Sequence, residues 1–432
     1  MISRSTYPIV QLLEQRSKFF CPAKWTELYL YLNHGNSNSC HHPIPHRIPI
    51  ELLDNPEVLH NTPHKLKMQQ LMIDGHRPDE CHMCWHIEDL DPDVLSDRIH
   101  KSEKWKDDIS TLNVDPNHIP KLIEVVFDNV CNLKCSYCDS GSSSVWANEI
   151  TQNPIILKTD HRKLYYKLAL SKEIESDKYF DAWLSWWPTI KNKVEILRIS
   201  GGEPLLSKKC WRFIDDLDYT PQLDLAINSN LSYDQSLLDK LINKAKNFKV
   251  ITISASLDAT GDIAEFSRQG LDYNKFVSNI EFWCERSPDN CFMYLQSTTN
   301  IFSIWGLTDM IDLSIRLKKN YPNKIKNFYS TIVRFPEFQS ISLLPTELKT
   351  QLSTNIQEWL LSKQHDLSDI EKSYVEKIIV YLTYIPQSLY PLPVKHLQQD
   401  LKKFVSWYEQ SSKLKFKDVY PTEFVEWLYQ IE

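Results

Sequence analysis

Three cysteines stand within eight residues in the run Cys131-Asn-Leu-Lys-Cys135-Ser-Tyr-Cys138. Thiolates this close can fold around one face of a single metal body. A [4Fe–4S] cubane takes four ligands, so a set of three leaves one iron open to a chelating ligand from outside the chain. Two other fates fit the same residues. They can be buried as small apolar side chains, or form a zinc site completed by histidine or aspartate, although zinc sites favour CxxC pairs.

Cys21, Cys40, Cys81 and Cys84 make a second set, the last two as Cys81-His-Met-Cys84. Four thiolates can fully ligate either zinc or a cubane cluster, and spacing alone does not separate the two. His41, His42, His82 and His86 lie nearby and could complete a mixed zinc site. Cys210, Cys284 and Cys291 belong to neither pattern. A further run, Ser200-Gly201-Gly202-Glu203-Pro204, pairs two glycines, which let a backbone approach a ligand closely, with a carboxylate able to accept from an ammonium group. The same letters also spell an ordinary turn.

The elements that must carry these residues are legible as alternating patterns. Six β-rich runs, at 123–129, 194–200, 223–229, 250–257, 292–299 and 327–335, are separated by amphipathic stretches. Strands with helical crossovers imply an α/β fold with a parallel sheet curved into a full or partial barrel. The three-cysteine run follows the first strand and Gly201-Gly202 ends the second. This is the strand edge where such sheets place their chemistry. Asn228-Ser229-Asn230 ends the third strand and Ser256 with Asp258 the fourth. Arg268 follows in a loop, and Gln296 lies near the end of the fifth. The long first connection predicts an insertion with extra helices near 145–190.

Residues 1–115 are rich in Cys, His, Pro and Trp and poor in periodicity, as expected of a domain organised by metal. Within it 27–33 reads as a strand, His34-Gly35-Asn36 as a turn and 51–75 as short helices. After Pro345 the pattern is helical to the end. The expected division is therefore 1–115, 116–340 and 341–432.

Of the 432 residues 42% are apolar and 24% charged, enough for a sizeable core. The net charge is -7 and the basic residues are scattered, which argues against non-specific nucleic-acid binding. The first twenty residues lack a signal-peptide pattern, and no apolar run approaches the roughly 18 residues of a membrane span. The expected compartment is the cytoplasm, where thiols stay reduced and ten cysteines read as metal ligands rather than disulfides.

The CxxxCxxC spacing with an aromatic before the last cysteine is similar to the signature of the radical S-adenosylmethionine (SAM) superfamily, and Gly201-Gly202-Glu203-Pro204 resembles its GGEP motif. The resemblance implies a partial (β/α)6 barrel and a [4Fe–4S] cluster on Cys131, Cys135 and Cys138. SAM would sit on the open iron, to be cleaved to methionine and a 5′-deoxyadenosyl radical. It sets Tyr137 near the adenine, and Gly201, Gly202, Glu203 and Pro204 around the methionine moiety, with Glu203 accepting from its ammonium. Ser229, Ser256 and Arg268 are further expected SAM contacts, the last two on the ribose and carboxylate as in related peptide-modifying enzymes. Leu231 stands where the family often has glycine after this third strand.

The stretches 21–40, 41–62 and 77–85 resemble the auxiliary-cluster twitch domain of the superfamily, a shortened relative of the SPASM domain. Here it precedes the barrel, as in a subgroup that includes proteusin-type peptide epimerases. This implies a second, auxiliary [4Fe–4S] cluster on Cys21, Cys40, Cys81 and Cys84, a ribosomally made precursor peptide as substrate, and a flavodoxin- or ferredoxin-type electron donor. The outcome would be epimerisation or cross-linking. Epimerisation needs a hydrogen donor, and of the unassigned cysteines Cys210 lies nearest the catalytic end. The alternatives are a radical SAM enzyme acting on a small molecule or nucleotide, and a non-catalytic zinc-binding interaction protein.

Overall fold

The computed structural model describes residues 7–90, 93–158, 173–384 and 393–432. Eleven strands form: β1 Glu27–Tyr31, β2 Asn36–Asn38, β3 His46–Arg47, β4 Leu122–Val126, β5 Lys134–Cys135, β6 Ile196–Ser200, β7 Thr220–Ser229, β8 Phe248–Ser256, β9 Arg268–Gln269, β10 Cys291–Thr299 and β11 Tyr329–Ile332. All six β-rich runs of the middle chain are among them, as β4, β6, β7, β8, β10 and β11. The chain divides into two compact units. One comprises Met1–Asp128, Leu170–Ser200 and Arg212–Leu225; the other comprises Asn129–Ala169, Gly201–Trp211 and Ala226–Glu432.

In the first unit β4 pairs in parallel with β6 and, on its other side, with β1 (Leu122 against Ile196 and Glu27). Ile123, Val125, Leu197 and Ile199 are fully buried on one face, as strand alternation requires. On the other face Glu124 accepts from Ser200 at 2.7 Å and pairs with Arg198 at 3.5 Å. β1 turns through Gly35, at φ +63°, into antiparallel β2. A side chain at Gly35 would have its Cβ 2.3 Å from the Tyr179 ring, so glycine is required there on two counts.

Among the described residues before 115, helices Pro8–Arg16, Pro63–Ile73, His82–Leu90 and Asp97–Lys104 gather around an apolar core that includes Ile9, Leu13, Phe20, Trp25, Met72, Trp85 and Ile99. The strand read over 27–33 forms as β1 and lengthens the parallel ladder.

In the second unit β8, β10 and β11 are parallel, with Gln296 opposite Ser256 and Tyr329. Ile251, Ile253, Ala255, Cys291, Met293 and Leu295 are buried on one face. The opposite face carries Thr252, Ser254, Ser256, Tyr294, Gln296 and Thr298, and is polar. Helices Gly261–Ser267, Tyr273–Arg286 and Leu307–Asn320 alternate with these strands. The expected helical tail follows, as Thr346–Lys363, Asp369–Tyr384, Val394–Tyr408 and Thr422–Gln430. Of the insertion expected near 145–190, helices Ser144–Gln152 and Glu173–Ile190 are present, and 159–172 lies outside the described residues. Among the described residues no helix is long and apolar enough to cross a membrane.

Candidate metal centres

The run from Cys131 to Cys138 is a loop whose backbone is held by the rest of its unit. Ser144 Oγ donates to the Cys131 carbonyl at 3.1 Å, Ser143 Oγ to that of Leu133 at 2.8 Å and Trp146 Nε1 to that of Cys135 at 2.8 Å. The Tyr408 hydroxyl donates to the Lys134 carbonyl, and Gln339 Nε2 to that of Ser136 at 2.7 Å. β5 within the loop pairs with β9, setting Cys135 opposite Arg268. Gly270, at φ +99°, packs so tightly that a Cβ would sit 2.8 Å from the Asn132 carbonyl oxygen. With its carbonyls engaged elsewhere, the loop is free to offer its three thiols to a ligand.

Those thiols sit in a field that resists ionisation. Burial raises all three above the usual thiol range, Cys135 to about 12, and neighbouring thiols of the loop add to it at Cys135 and Cys138. Such a set becomes thiolate only beside a strong compensating cation. Thiolates around one zinc, with 2.3 Å bonds, sit about 3.8 Å apart. Among the described residues, the groups of three or more metal-ligating side chains whose ligand atoms all lie within 4.8 Å of one another are His41, His42, Asp97 and His46, His64, Glu80. No cysteine belongs to either. Three thiols without a fourth are the donor set that would leave one iron of a cubane open.

Around this loop the second unit assembles a polar network. Asp258 Oδ2 accepts from Tyr137 Oη at 2.9 Å and from Arg268 Nε at 2.8 Å, while its Oδ1 accepts from the Thr298 amide at 2.7 Å. Arg268 reaches Tyr137 Oη at 2.7 Å with one terminal nitrogen and Cys135 Sγ at 3.5 Å with the other. The expected SAM carboxylate contact, Arg268, is therefore buried in an ion pair with Asp258 and points a donor at a cysteine ligand. Sequence reading gave Asp258 no role, because its partner lies ten residues downstream on β9.

The GGEP run folds back on the loop preceding Cys131. The Glu203 amide donates to the Val130 carbonyl at 2.7 Å. A Cβ at Gly202 would stand 2.2 Å from that same oxygen. The close approach that needs this glycine is therefore to the chain's own backbone. Gly202→Ala is expected to push Val130 and the adjacent Cys131 out of place, lowering iron bound after anaerobic reconstitution and destabilising the protein by about 1–3 kcal/mol, as overpacking does. Wild-type iron content and melting temperature in that variant would show that Val130 yields freely.

Glu203 also departs from expectation. It is fully buried, and its carboxylate accepts from the Asn230 amide at 2.6 Å, Ser229 Oγ at 3.0 Å and the Leu205 amide at 3.2 Å. These donors belong to the chain, so the carboxylate already has partners without a ligand ammonium. Asn230 in turn donates to Asn132 Oδ1 at 2.8 Å and faces Cys131 Sγ at 3.8 Å. Glu203 thus ties the end of β7 to the cysteine loop. Ser229 serves the same link, sharing a hydrogen bond with Tyr233 at 2.9 Å.

Burial raises the Glu203 carboxyl to about 7, against the three donors, from an ordinary value near 4. The folded state then holds a proton that the unfolded chain has lost, and ∂ΔG/∂pH is negative over that interval. Stability from this group is complete below the unfolded pKa and is lost as pH rises through about 7. Glu203→Gln removes the ionisation, so between about pH 5 and pH 8 its melting temperature is expected to fall less than that of wild type. Parallel melting curves across that range would remove Glu203 as the source.

The remaining expected contacts are placed as follows. Ser256 ends β8 on the polar face, opposite Gln296. Asn228 Oδ1, near the end of β7, is buried without a hydrogen-bond partner and awaits a donor. Pro204 is buried in the short helical turn Pro204–Leu206. Cys210 is fully buried in helix Lys208–Asp215, so it offers no surface to a substrate radical.

In the first unit Cys21, Cys40, Cys81 and Cys84 line one cavity, together with Lys24, His42, Asp97, Arg98 and Lys101. Burial raises all four thiols, Cys40 to about 11, and neighbouring cysteines raise Cys21, Cys40 and Cys84 further. His42 donates to Asp97 Oδ2 at 3.0 Å, and is the one histidine of the four considered that lines the cavity. Four thiols lining one cavity are a donor set that either zinc or a cubane would take. Lys24, Arg98 and Lys101 carried no signal in the sequence, since long-range folding brings them to the sulfurs.

No family model matches the chain, and no curated protein matches it. Among solved structures, Streptococcus suis SuiB bound to S-adenosylmethionine is similar over 78% of this chain and 68% of that one, with a TM-score of 0.34 and 13% identity.

Proposed function

We propose that the chain is a radical SAM enzyme that modifies a ribosomally made precursor peptide. The observation that carries this reading is the link from Glu203 through Asn230 to Cys131, which joins a GGEP turn to a CxxxCxxC loop in one compact unit. A [4Fe–4S] cluster bound there, with SAM on its open iron, would supply the electron for reductive cleavage to methionine and a 5′-deoxyadenosyl radical, which abstracts hydrogen from substrate.

The chain's own residues have definable tasks in this scheme. Cys131, Cys135 and Cys138 hold three irons, and Arg268 donates toward Cys135, easing the charge on that thiolate. Asp258 fixes both Arg268 and Tyr137, which leaves the Tyr137 ring to bound adenine. Asn228 and Ser256, at adjoining strand ends, are the polar groups available to the nucleoside. The segment before 116 acts as the auxiliary domain, 116–340 as a partial (β/α)6 barrel and 341–432 as a helical brace. A flavodoxin- or ferredoxin-type protein serves as electron donor.

The four-cysteine set and its twitch-like sequence support a peptide substrate, with epimerisation or cross-linking as the outcome. With dithionite and SAM, reconstituted protein should release 5′-deoxyadenosine; a protein that binds iron but never cleaves SAM would overturn the proposal. With the peptide in deuterated water, one deuterium at Cα marks epimerisation and the loss of two hydrogens marks a new bond.

A further inference from the structure

The cavity lined by Cys21, Cys40, Cys81 and Cys84 has a polarity that its overall composition hides. Three cations face it, Lys24, Arg98 and Lys101, against one carboxylate, Asp97. Each cation has a carboxylate partner that does not line the cavity. Lys24 pairs with Glu80, Arg98 with Glu88 at 2.9 Å and Lys101 with Glu27 at 3.1 Å. These three ion pairs therefore put their cations on the cavity wall, where Lys101 also lies 3.9 Å from Asp97. Lys24 is 2% exposed. Arg98 is further fixed by donating to the Phe20 carbonyl at 2.7 Å, so the arrangement is built in rather than adopted by loose surface lysines.

Potentials of iron–sulfur centres follow net charge, hydrogen bonds to sulfur and solvent exposure. Each electron added makes a four-thiolate cluster more negative, and cations on the cavity wall stabilise the more negative state. We infer that Lys24, Arg98 and Lys101 raise the reduction potential of the auxiliary centre above the value it would have without their charges. The inference rests on the cluster assignment proposed above.

The test is a redox titration of the full chain, reconstituted anaerobically and followed by absorption and EPR. The Cys131/Cys135/Cys138→Ala variant isolates the auxiliary centre with its pocket intact, and the Cys81/Cys84→Ala variant isolates the other. Lys24→Met and Lys101→Met, made in the first background, keep the side-chain length and remove the charge. At a fixed potential each should lower the ratio of reduced to oxidised centre at least ten-fold, a midpoint about 59 mV lower. Lys101→Arg should titrate like its parent. Unchanged midpoints in iron-replete methionine variants, or an arginine variant that shifts equally, would refute the role of the charges. If the four-cysteine site takes up no iron at all, the cluster assignment itself fails.

Discussion

Replacing Cys131, Cys135 and Cys138 together by alanine is expected to abolish SAM cleavage outright and to lower bound iron from about eight to about four per chain. Alanine removes the three sulfur ligands and leaves the loop's backbone unchanged. The carbonyls of Cys131, Leu133 and Cys135 keep their donors from Ser144, Ser143 and Trp146. The loop should therefore stay folded, and loss of activity should come without a matching loss of melting temperature. Iron analysis, calorimetry and chromatographic detection of 5′-deoxyadenosine on the same preparation check all three parts. Persistent SAM cleavage in this variant would end the proposed function.

The second large effect is expected at the other cysteine set. Cys81→Ala combined with Cys84→Ala should also cost about four irons, but here stability should fall as well. Cys84 is part of the apolar core that holds Met72, Trp85 and Ile99, and metal binding by such a set is coupled to folding. Loss of even about 2 kcal/mol lowers the melting temperature by roughly 4–8 °C in domains of 150–250 residues. Protein purified without oxygen should contain little zinc even when zinc is supplied. Stoichiometric zinc beside only four irons would make this a structural zinc site and leave one cluster.

The contrast between what could be read from the chain and what could not follows its physical cause. The strands were legible because burial of one face imposes alternation, as in Ile251, Ile253 and Ala255 of β8. The run 131–138 and the pair Cys81–Cys84 were legible by their short spacing, while Cys21 and Cys40 join that pair only through the fold. The parallel pairing of β1 with β4 was not, because a turn at Gly35 announces a partner on one edge and says nothing of the other. Glu203 was legible as important, while its donors within the chain were not. A carboxylate after two glycines suggests a ligand contact, yet its three donors come from two residues downstream and from the end of a distant strand. Arg98 and Lys101, three apart on one helix face, meet the sulfurs only through tertiary packing.

The tethering of the cysteine loop by Tyr408, Gln339 and Trp146 bears on how the proposed cluster would be installed. A receiving loop whose path is set by hydrogen bonds to distant helices pays little conformational entropy when its cargo arrives. Delivery from a carrier protein can then be a late, reversible handover to a finished fold, and chelated protein should recharge without refolding. At the other set, where Cys84 is part of a core, insertion and folding are one event. The two sites would differ in their biogenesis: one can be refilled in service, while the other must be supplied as the chain is made.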